Sequence, residues 1–394
     1  MTRLVTFGIL MALVTFWLHR RLVRAPRLPR PWSFIVDGVL AVFWVLIIIG
    51  VGSGEVFDPD WARIPAFAGM VSLAVVFYLI LGLTFVALGS LLYRLIRRVR
   101  RRSSPRSDEL NDPEHSVDLS RRKVLRIATG VVAAGAIATV GYGVVEAARP
   151  KVVRVRVPLS RLPREFDGLR VALISDLHVG PARGRAFTQR VVDLVNEQNA
   201  DLIVIAGDLV DGTVALVAPD LEPLSELSAP MGVFGVSGNH EFYADDGGRW
   251  LDVWDRLGIR TLRNERQSLK HGGAGIDIVG INDYSSPKPY EPDLTAALAG
   301  RDAATFALLL AHEPRQAFEA SDLGVDLQLS GHTHGGQMWP IRYLVPLQQP
   351  SVTGLDRIGN TVLYTTRGAG AWGPPVRVGA PPEVTVLTLV SEQL

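Results

Sequence analysis

Five short stretches between residues 169 and 336 hold side chains that could bind metals or move protons. Asp176 and His178 stand two apart after an apolar run. Asp208 follows Gly207, and Asn239 and His240 follow Gly238. His312 ends a further apolar run, and His332 and His334 flank Thr333 in "LSGHTHGGQ". Each of these has an ordinary explanation when taken alone. An aspartate accepts backbone N–H bonds at a helix start, a Gly-Asn pair makes a turn, and a single histidine serves structure or surface. Their joint placement is harder to explain that way, because five of the chain's 8 histidines fall in these stretches. The other three, His19, His115 and His271, are read as incidental.

The segments that must position them are strands. "LRVALISDLH", "DLIVIAGDLVDG", "GVFGVSGNHEFY", "IDIVGINDY", "FALLLAHEP" and "VDLQLSGHTHGG" are apolar runs ending in turn residues, with helical stretches such as "RAFTQRVVDLVNEQ" and "GRWLDVWDRLG" between them. Alternating β and α units predict an α/β domain with buried strands. Ligands in such folds collect at the carboxyl ends of strands, where these residues sit. Asp176 and His178 are expected to continue a strand, so that extended geometry points both to one side.

Imidazole and carboxylate together suit zinc, manganese, iron or cobalt, whereas magnesium and calcium prefer oxygen. Asp176, His178, Asp208, Asn239, His312, His332 and His334 are too many for one tetrahedral zinc. They suit two metals sharing a carboxylate, an arrangement that clamps the attacking and leaving oxygens of a displacement at phosphorus.

The series D-x-H, G-D, G-N-H-E, H and G-H-T-H resembles the calcineurin-like metallophosphoesterases over nearly all of residues 169–336. "RGAGAWGPPVRVGAPPEVTVLTL" near the C-terminus further resembles the bacterial membrane-anchored or exported subgroup. The resemblance implies a four-layer α-β-β-α sandwich with two divalent ions (Mn, Fe, Zn or Co). One would be held by Asp176, His178, Asp208 and His334. The other would be held by Asp208, Asn239, His312 and His332, with Asp208 bridging. A bridging hydroxide is then the nucleophile, since coordination can bring the pKa of water to about 7. His240 resembles the family histidine that protonates the leaving oxygen or stabilises phosphoryl charge. His332 and His334 are close because each serves a different metal, and small Thr333 is expected to let the backbone turn. Arg367 is a candidate bidentate donor to a substrate phosphate.

The first 150 residues are of a different kind. The chain has 394 residues, 48% of them hydrophobic, and no cysteine, which excludes disulfides, thiolate metal sites and cysteine nucleophiles. Leu4–Leu18, Phe34–Gly52 and Pro65–Leu92 are apolar runs near the roughly 20 residues that cross a bilayer, the first of them short. Asp37 is expected to reach the membrane interface rather than to mark an ion path. Arginines crowd residues 19–32 and "YRLIRRVRRR", whereas 53–64 are acidic, so the first and third loops are expected in the cytoplasm. The basic excess is therefore a topology signal and not a nucleic-acid footprint. Residues 1–102 are read as three spans, 103–120 as a cytoplasmic linker, 121–150 as a fourth span, and 151–394 as the phosphoesterase domain, outside the cytoplasm. Ser120–Arg126 resembles a twin-arginine export signal, and its poor cleavage site points to a retained anchor.

For a domain tethered to a lipid bilayer, location favours a phosphodiester or pyrophosphate in a phospholipid or envelope precursor. "MWPIRYLVPLQQ" (338–349) is expected to form an apolar wall or lid for a lipid-linked phosphate ester. The alternatives are a phosphomonoesterase using the same residues and a non-catalytic, metal-stabilised membrane sensor or scaffold. Nothing in the sequence bears on oligomeric state.

Overall fold

The computed structural model describes residues 2–103 and 114–392. The chain divides into two compact units, Met1–Val51 with Ala68–Tyr142, and Gly52–Phe67 with Gly143–Leu394.

The first unit is helical, drawn from α1 (Thr2–His19), α2 (Arg30–Gly52), α3 (Pro59–Ser103) and α4 (Glu114–Ala147). Among the described residues, four stretches are long and apolar enough to cross a membrane: Thr2–Arg24, Arg30–Gly52, Pro59–Ile96 and Lys123–Ala147. The first is longer than the sequence reading allowed, because α1 continues through a π-helical turn at Arg20–Arg24. Asp37 and His19 meet across α1 and α2. They are partners, with His19 Nδ1 2.6 Å from Asp37 Oδ1. Of the expected linker, residues 104–113 lie outside the described residues, and 114–120 belong to α4.

The second unit is built on twelve strands. Those of the first half are β1 (Lys151–Leu159), β2 (Arg170–Ile174), β3 (Leu202–Ala206), β4 (Val233–Val236), β5 (Arg260–Thr261) and β6 (Glu265–His271). Those of the second half are β7 (Ala274–Gly280), β8 (Phe306–Leu310), β9 (Leu327–Ser330), β10 (Gly354–Ile358), β11 (Thr361–Thr365) and β12 (Glu383–Ser391). They form two sheets, ordered β1-β12-β2-β3-β4-β5 and β10-β11-β9-β8-β7-β6. β2 to β5 run parallel, as do β7, β8, β9 and β11.

Side-chain alternation along the strands explains the layers. In β3, Leu202, Val204 and Ala206 face inward, and in β8 so do Phe306, Leu308 and Leu310. All six belong to one buried cluster between the sheets. The intervening Ile203 and Ile205 pack outward with Phe187, Val191, Trp250 and Trp254 of helices α5 (Arg185–Asn196) and α7 (Gly247–Arg256), the short α6 (Val214–Val217) lying between them in sequence. Ala307 and Leu309 pack outward with Leu294, Ala297 and Ala320 of α8 (Leu294–Leu298) and α9 (Ala317–Asp322). Strands covered on both faces read as continuous apolar runs. The result is the expected α-β-β-α sandwich.

Candidate metal centre

The carboxyl ends of β2, β3, β4, β8 and β9 meet between the two sheets and bring the predicted residues together. The sequence reading of extended geometry at Asp176 and His178 is corrected here. Both have left-handed backbone, at φ 57° and 48°, as do Asp208 (55°), His332 (70°) and His334 (51°). The turning at "GHTH" is therefore done by the two histidines, while Thr333 keeps φ −74° and donates its hydroxyl to Val352 O at 2.6 Å. A strand that simply continued could not aim these side chains at one point.

The donor atoms fall into two sets that share Asp208. In one, His334 Nε2 lies 3.0 Å from His178 Nε2 and 3.2 Å from Asp176 Oδ1. His178 Nε2 is 3.8 Å from Asp208 Oδ2. In the other, the same Asp208 Oδ2 is 3.1 Å from His312 Nε2. His332 Nδ1 stands 3.1 Å from Asn239 Oδ1 and 3.3 Å from His312 Nε2. Asp176–His178–His334, His178–Asp208–His240 and Asp208–His312–His332 each bring together donor atoms close enough to hold a metal ion.

Neighbouring groups decide which atoms face inward. His312 Nδ1 donates to Ala206 O at 2.6 Å, so its Nε2 faces Asp208; burial would lower this ring's pKa, but Asp208 outweighs that and raises it well above its ordinary value. His178 Nδ1 donates to Asp211 Oδ1 at 2.9 Å, with the same effect. His334 differs, because its Nδ1 faces Arg377 Nη2 at 3.0 Å. A neutral ring there accepts from Arg377 at Nδ1 and carries its proton on Nε2. The donor set of two aspartates, an amide oxygen and four imidazoles suits borderline divalent metals, and nothing in the pocket conflicts with two of them sharing Asp208.

The carboxylates are also wired to the backbone. Asp176 accepts His332 N at 3.1 Å, and Asp208 accepts His240 N at 2.8 Å. Gly238 is required where the β4 loop crosses Asp208, since a Cβ would lie 2.2 Å from Asp208 Oδ1. Burial alone would raise the Asp208 carboxyl, but His312 and His240 hold it well below its ordinary value. Burial pushes Asp176 upward. Burial, followed by the charge on His312, lowers His332 to about 3, so this ring stays neutral and able to ligate.

His240 stands at the mouth of the site. Its Nδ1 donates to Asp211 Oδ1 at 2.6 Å, and its ring lies against Tyr243 at 4.6 Å between centroids. Burial would lower its pKa, but Asp208 and Asp211 outweigh that and push it up to about 9. A histidine so placed is a cation that can give a proton to a leaving oxygen.

Three residues escaped the sequence reading. Asp211 orients both His178 and His240, and its only signal was a second aspartate before glycine in "GDLVDG". Glu241, quoted only as the last letter of G-N-H-E, accepts the backbone N–H groups of Asp208, Leu209 and Gly238 at 3.0, 2.8 and 2.6 Å. Fully buried Arg377 donates to the carbonyls of His334 and Gly370, both at 2.7 Å, and so ties the β9 loop to the C-terminal loop. Arg367, expected to face a phosphate, is ion-paired with the buried Glu383. Residues 338–349 include two 3-10 turns, Ile341–Tyr343 and Val345–Leu347, with Tyr343 and Leu347 68% and 80% exposed and the end residues Met338 and Gln349 buried.

Two facing sheets whose strand ends gather Asp, Asn and His side chains define a metal-dependent phosphoesterase fold, and comparisons with known proteins agree. Residues 169–336 match the family model of the calcineurin-like phosphoesterases. A Bacillus subtilis (strain 168) protein named metallophosphoesterase YkuE is 33% identical over 293 residues, covering 69% of this chain and 98% of that protein. A Danio rerio transmembrane protein with metallophosphoesterase domain is 37% identical over 259 residues, 63% of this chain and 59% of the relative. A Helicobacter pylori (strain J99 / ATCC 700824) metallophosphoesterase is 38% identical over 247 residues, 62% and 65% respectively. The chain belongs to the calcineurin-like phosphoesterase family. The matches span about six-tenths of the length of the Danio and Helicobacter relatives.

Proposed function

We propose that the protein is a membrane-anchored, metal-dependent phosphoesterase acting on a phosphodiester or pyrophosphate bond, with a phospholipid or lipid-linked envelope precursor as substrate. The observation that carries this is the sharing of Asp208 Oδ2 between the two donor sets, 3.8 Å from His178 Nε2 and 3.1 Å from His312 Nε2. In this reading Asp176, His178, Asp208 and His334 hold one cation, and Asp208, Asn239, His312 and His332 hold the other. When bound, two such cations supply Lewis acidity that activates water and neutralises charge at phosphorus. The chain's own residues do the rest. Asp208 would hold the two halves in register, and cationic His240, paired through Nδ1 with Asp211, would face the leaving oxygen and donate its proton there.

Two features support a lipid substrate. Trp339, Tyr343, Leu344 and Leu347 expose large apolar surface directly after the metal-site histidines, and Tyr243 and Trp372 are exposed beside His240. Contiguous apolar surface of this kind marks a partner or lipid contact. The catalytic unit is read as extracytoplasmic, with α4, preceded by the twin-arginine-like stretch, kept as its anchor. The inclusion of Gly52–Phe67 in the same unit as the sheets supports this topology, because that acidic segment is the loop expected outside.

The test is hydrolysis of a chromogenic phosphodiester and its monoester analogue by the full chain in detergent, with Mn, Fe, Co or Zn added in turn. Metal-dependent turnover with a diester-to-monoester ratio above one is expected, rising further for a lipid phosphodiester in mixed micelles. A ratio below one would favour the phosphomonoesterase. Stoichiometric metal without turnover of any ester would favour the sensor. Trp339→Ser with Leu344→Ser should lower activity on lipid more than on soluble ester, and equal losses would remove the lipid reading.

A further inference from the structure

The segment between the apolar bodies of α2 and α3, Gly52–Phe67, is fixed to the sheet unit at two places. At one, Gly54 O accepts the Thr213 N–H at 2.9 Å. Gly54 adopts φ +82°, and a Cβ there would stand 2.7 Å from Asp211 O. The fit is mutual, since a Cβ on Gly212 would stand 2.6 Å from Gly54 O. The segment holds its own shape through Gly54 N donating to Phe57 O at 2.9 Å. At the other place Arg63 Nη2 donates to Asp220 Oδ2 at 2.6 Å, and Asp220 Oδ1 accepts Arg185 N at 2.9 Å. The first contact lies against the backbone of Asp211, whose carboxylate holds His178 Nδ1 and His240 Nδ1.

We infer that Gly52–Phe67 is a positioning element of the metal centre. It holds the Asp211–Gly212–Thr213 turn and thereby sets the carboxylate that orients His178 and His240. The positioning claim rests on the proposed phosphoesterase reading, whereas the holding claim does not. Neither Gly54 nor Arg63 touches the reacting atoms. Residues that orient ligands from outside the coordination shell are commonly worth about 10- to 100-fold in metal affinity or activity. These contacts act one step further out, at the lower end of that range. The helices flanking this segment would then do more than tether the domain, because the loop joining them completes it.

The experiment uses the full chain in detergent and two readouts. Turnover of a soluble chromogenic phosphodiester is measured with bound metal, and hydrogen exchange is followed by mass spectrometry for the peptide containing Thr213. Gly54→Val is expected to lower kcat about tenfold with KM and bound metal within about twofold, and to speed exchange at Thr213. Arg63→Ala should lower kcat in the same way, Arg63→Lys should restore most of it, and Glu55→Gln, an exposed change in the same loop, should do nothing. Unchanged Thr213 exchange in Gly54→Val would show that the segment does not hold the turn. Faster exchange with unchanged kcat would show that holding the turn does not position the site. Faster exchange spread across the strands of the sheet unit together with loss of kcat would make the segment a folding element, and would also overturn the inference. If the wild-type chain turns over no ester, the phosphoesterase reading fails by itself, and the exchange result still decides whether the turn is held.

Discussion

The two units differ most in their backbone. Among the described residues, nine non-glycine residues have positive φ, and only Arg27 lies in the helical unit. Of the eight in the sheet unit, five are Asp176, His178, Asp208, His332 and His334. Left-handed backbone costs a non-glycine residue roughly 1–2 kcal/mol, and five such costs at one site persist only where the surroundings over-determine them. The helical unit places its side chains by regular periodicity and accepts almost no such strain. The sheet unit needs seven donor atoms to converge, and regular strands disperse side chains to opposite faces. Strain at the strand ends is the physical means of convergence, which makes the backbone itself part of the site.

The largest effect that would break this comparison is expected at Asp208. Asparagine tolerates left-handed φ nearly as well as aspartate, so Asp208→Asn should keep the fold and the bond from His240 N while removing the shared charge. Metal contributes several kilocalories per mole to such reactions, so turnover should fall on the order of 10³-fold, with less than full metal occupancy by elemental analysis. More than a tenth of wild-type turnover would mean that Asp208 is not shared between two cations. His240→Ala is expected to come next. Its Nδ1 is held by Asp211, so metal content should stay within twofold while kcat falls on the order of 10²-fold. Metal loss in that variant would make His240 a ligand and not a proton donor.

The helical unit and the sandwich were legible in the sequence for the same reason. Both repeat a hydrophobic pattern, around α2 as an unbroken apolar run and along β3 and β8 as strands covered on both faces. Asp176, His178, Asp208, Asn239, His240, His312, His332 and His334 were legible as positions, because each ends such a run. Their backbone was not legible. Local rules put Asp176 and His178 in extended geometry, and only the packing of β2 against β3, with Asp176 N on Gly207 O at 3.0 Å, turns them. Asp211, Arg377 and Gly54 were missed for a related reason. Each acts on residues far away in sequence, as Arg377 does on His334 and Gly54 on Thr213. Arg367 was legible as a candidate phosphate donor, whereas its ion pair with the buried Glu383 was not.

The smallest effect is the sharpest test of strain, because it can be read with no substrate. His332 has φ 70°, and the space left by removing its ring is common to both variants below. His332→Ala and His332→Gly both delete the ligand and differ by one methyl group. Glycine costs about 0.5–1 kcal/mol through the entropy of the unfolded chain. Alanine costs roughly 1–2 kcal/mol through its left-handed backbone. The second outweighs the first, so in metal-free protein the glycine variant should be the more stable by about 0.5–1 kcal/mol. For a unit of this size that is a melting difference of about one to four degrees. The same comparison in the helical unit should reverse. A Cβ at Gly135 of α4 meets nothing within 4 Å and its φ is helical, so Gly135→Ala should favour alanine by up to about 1 kcal/mol. Equal or greater stability of His332→Ala over His332→Gly would mean that the backbone at "GHTH" relaxes once the ligand is gone. The strain would then belong to the histidine side chain and its partners, and the contrast between the two units would no longer rest on the backbone.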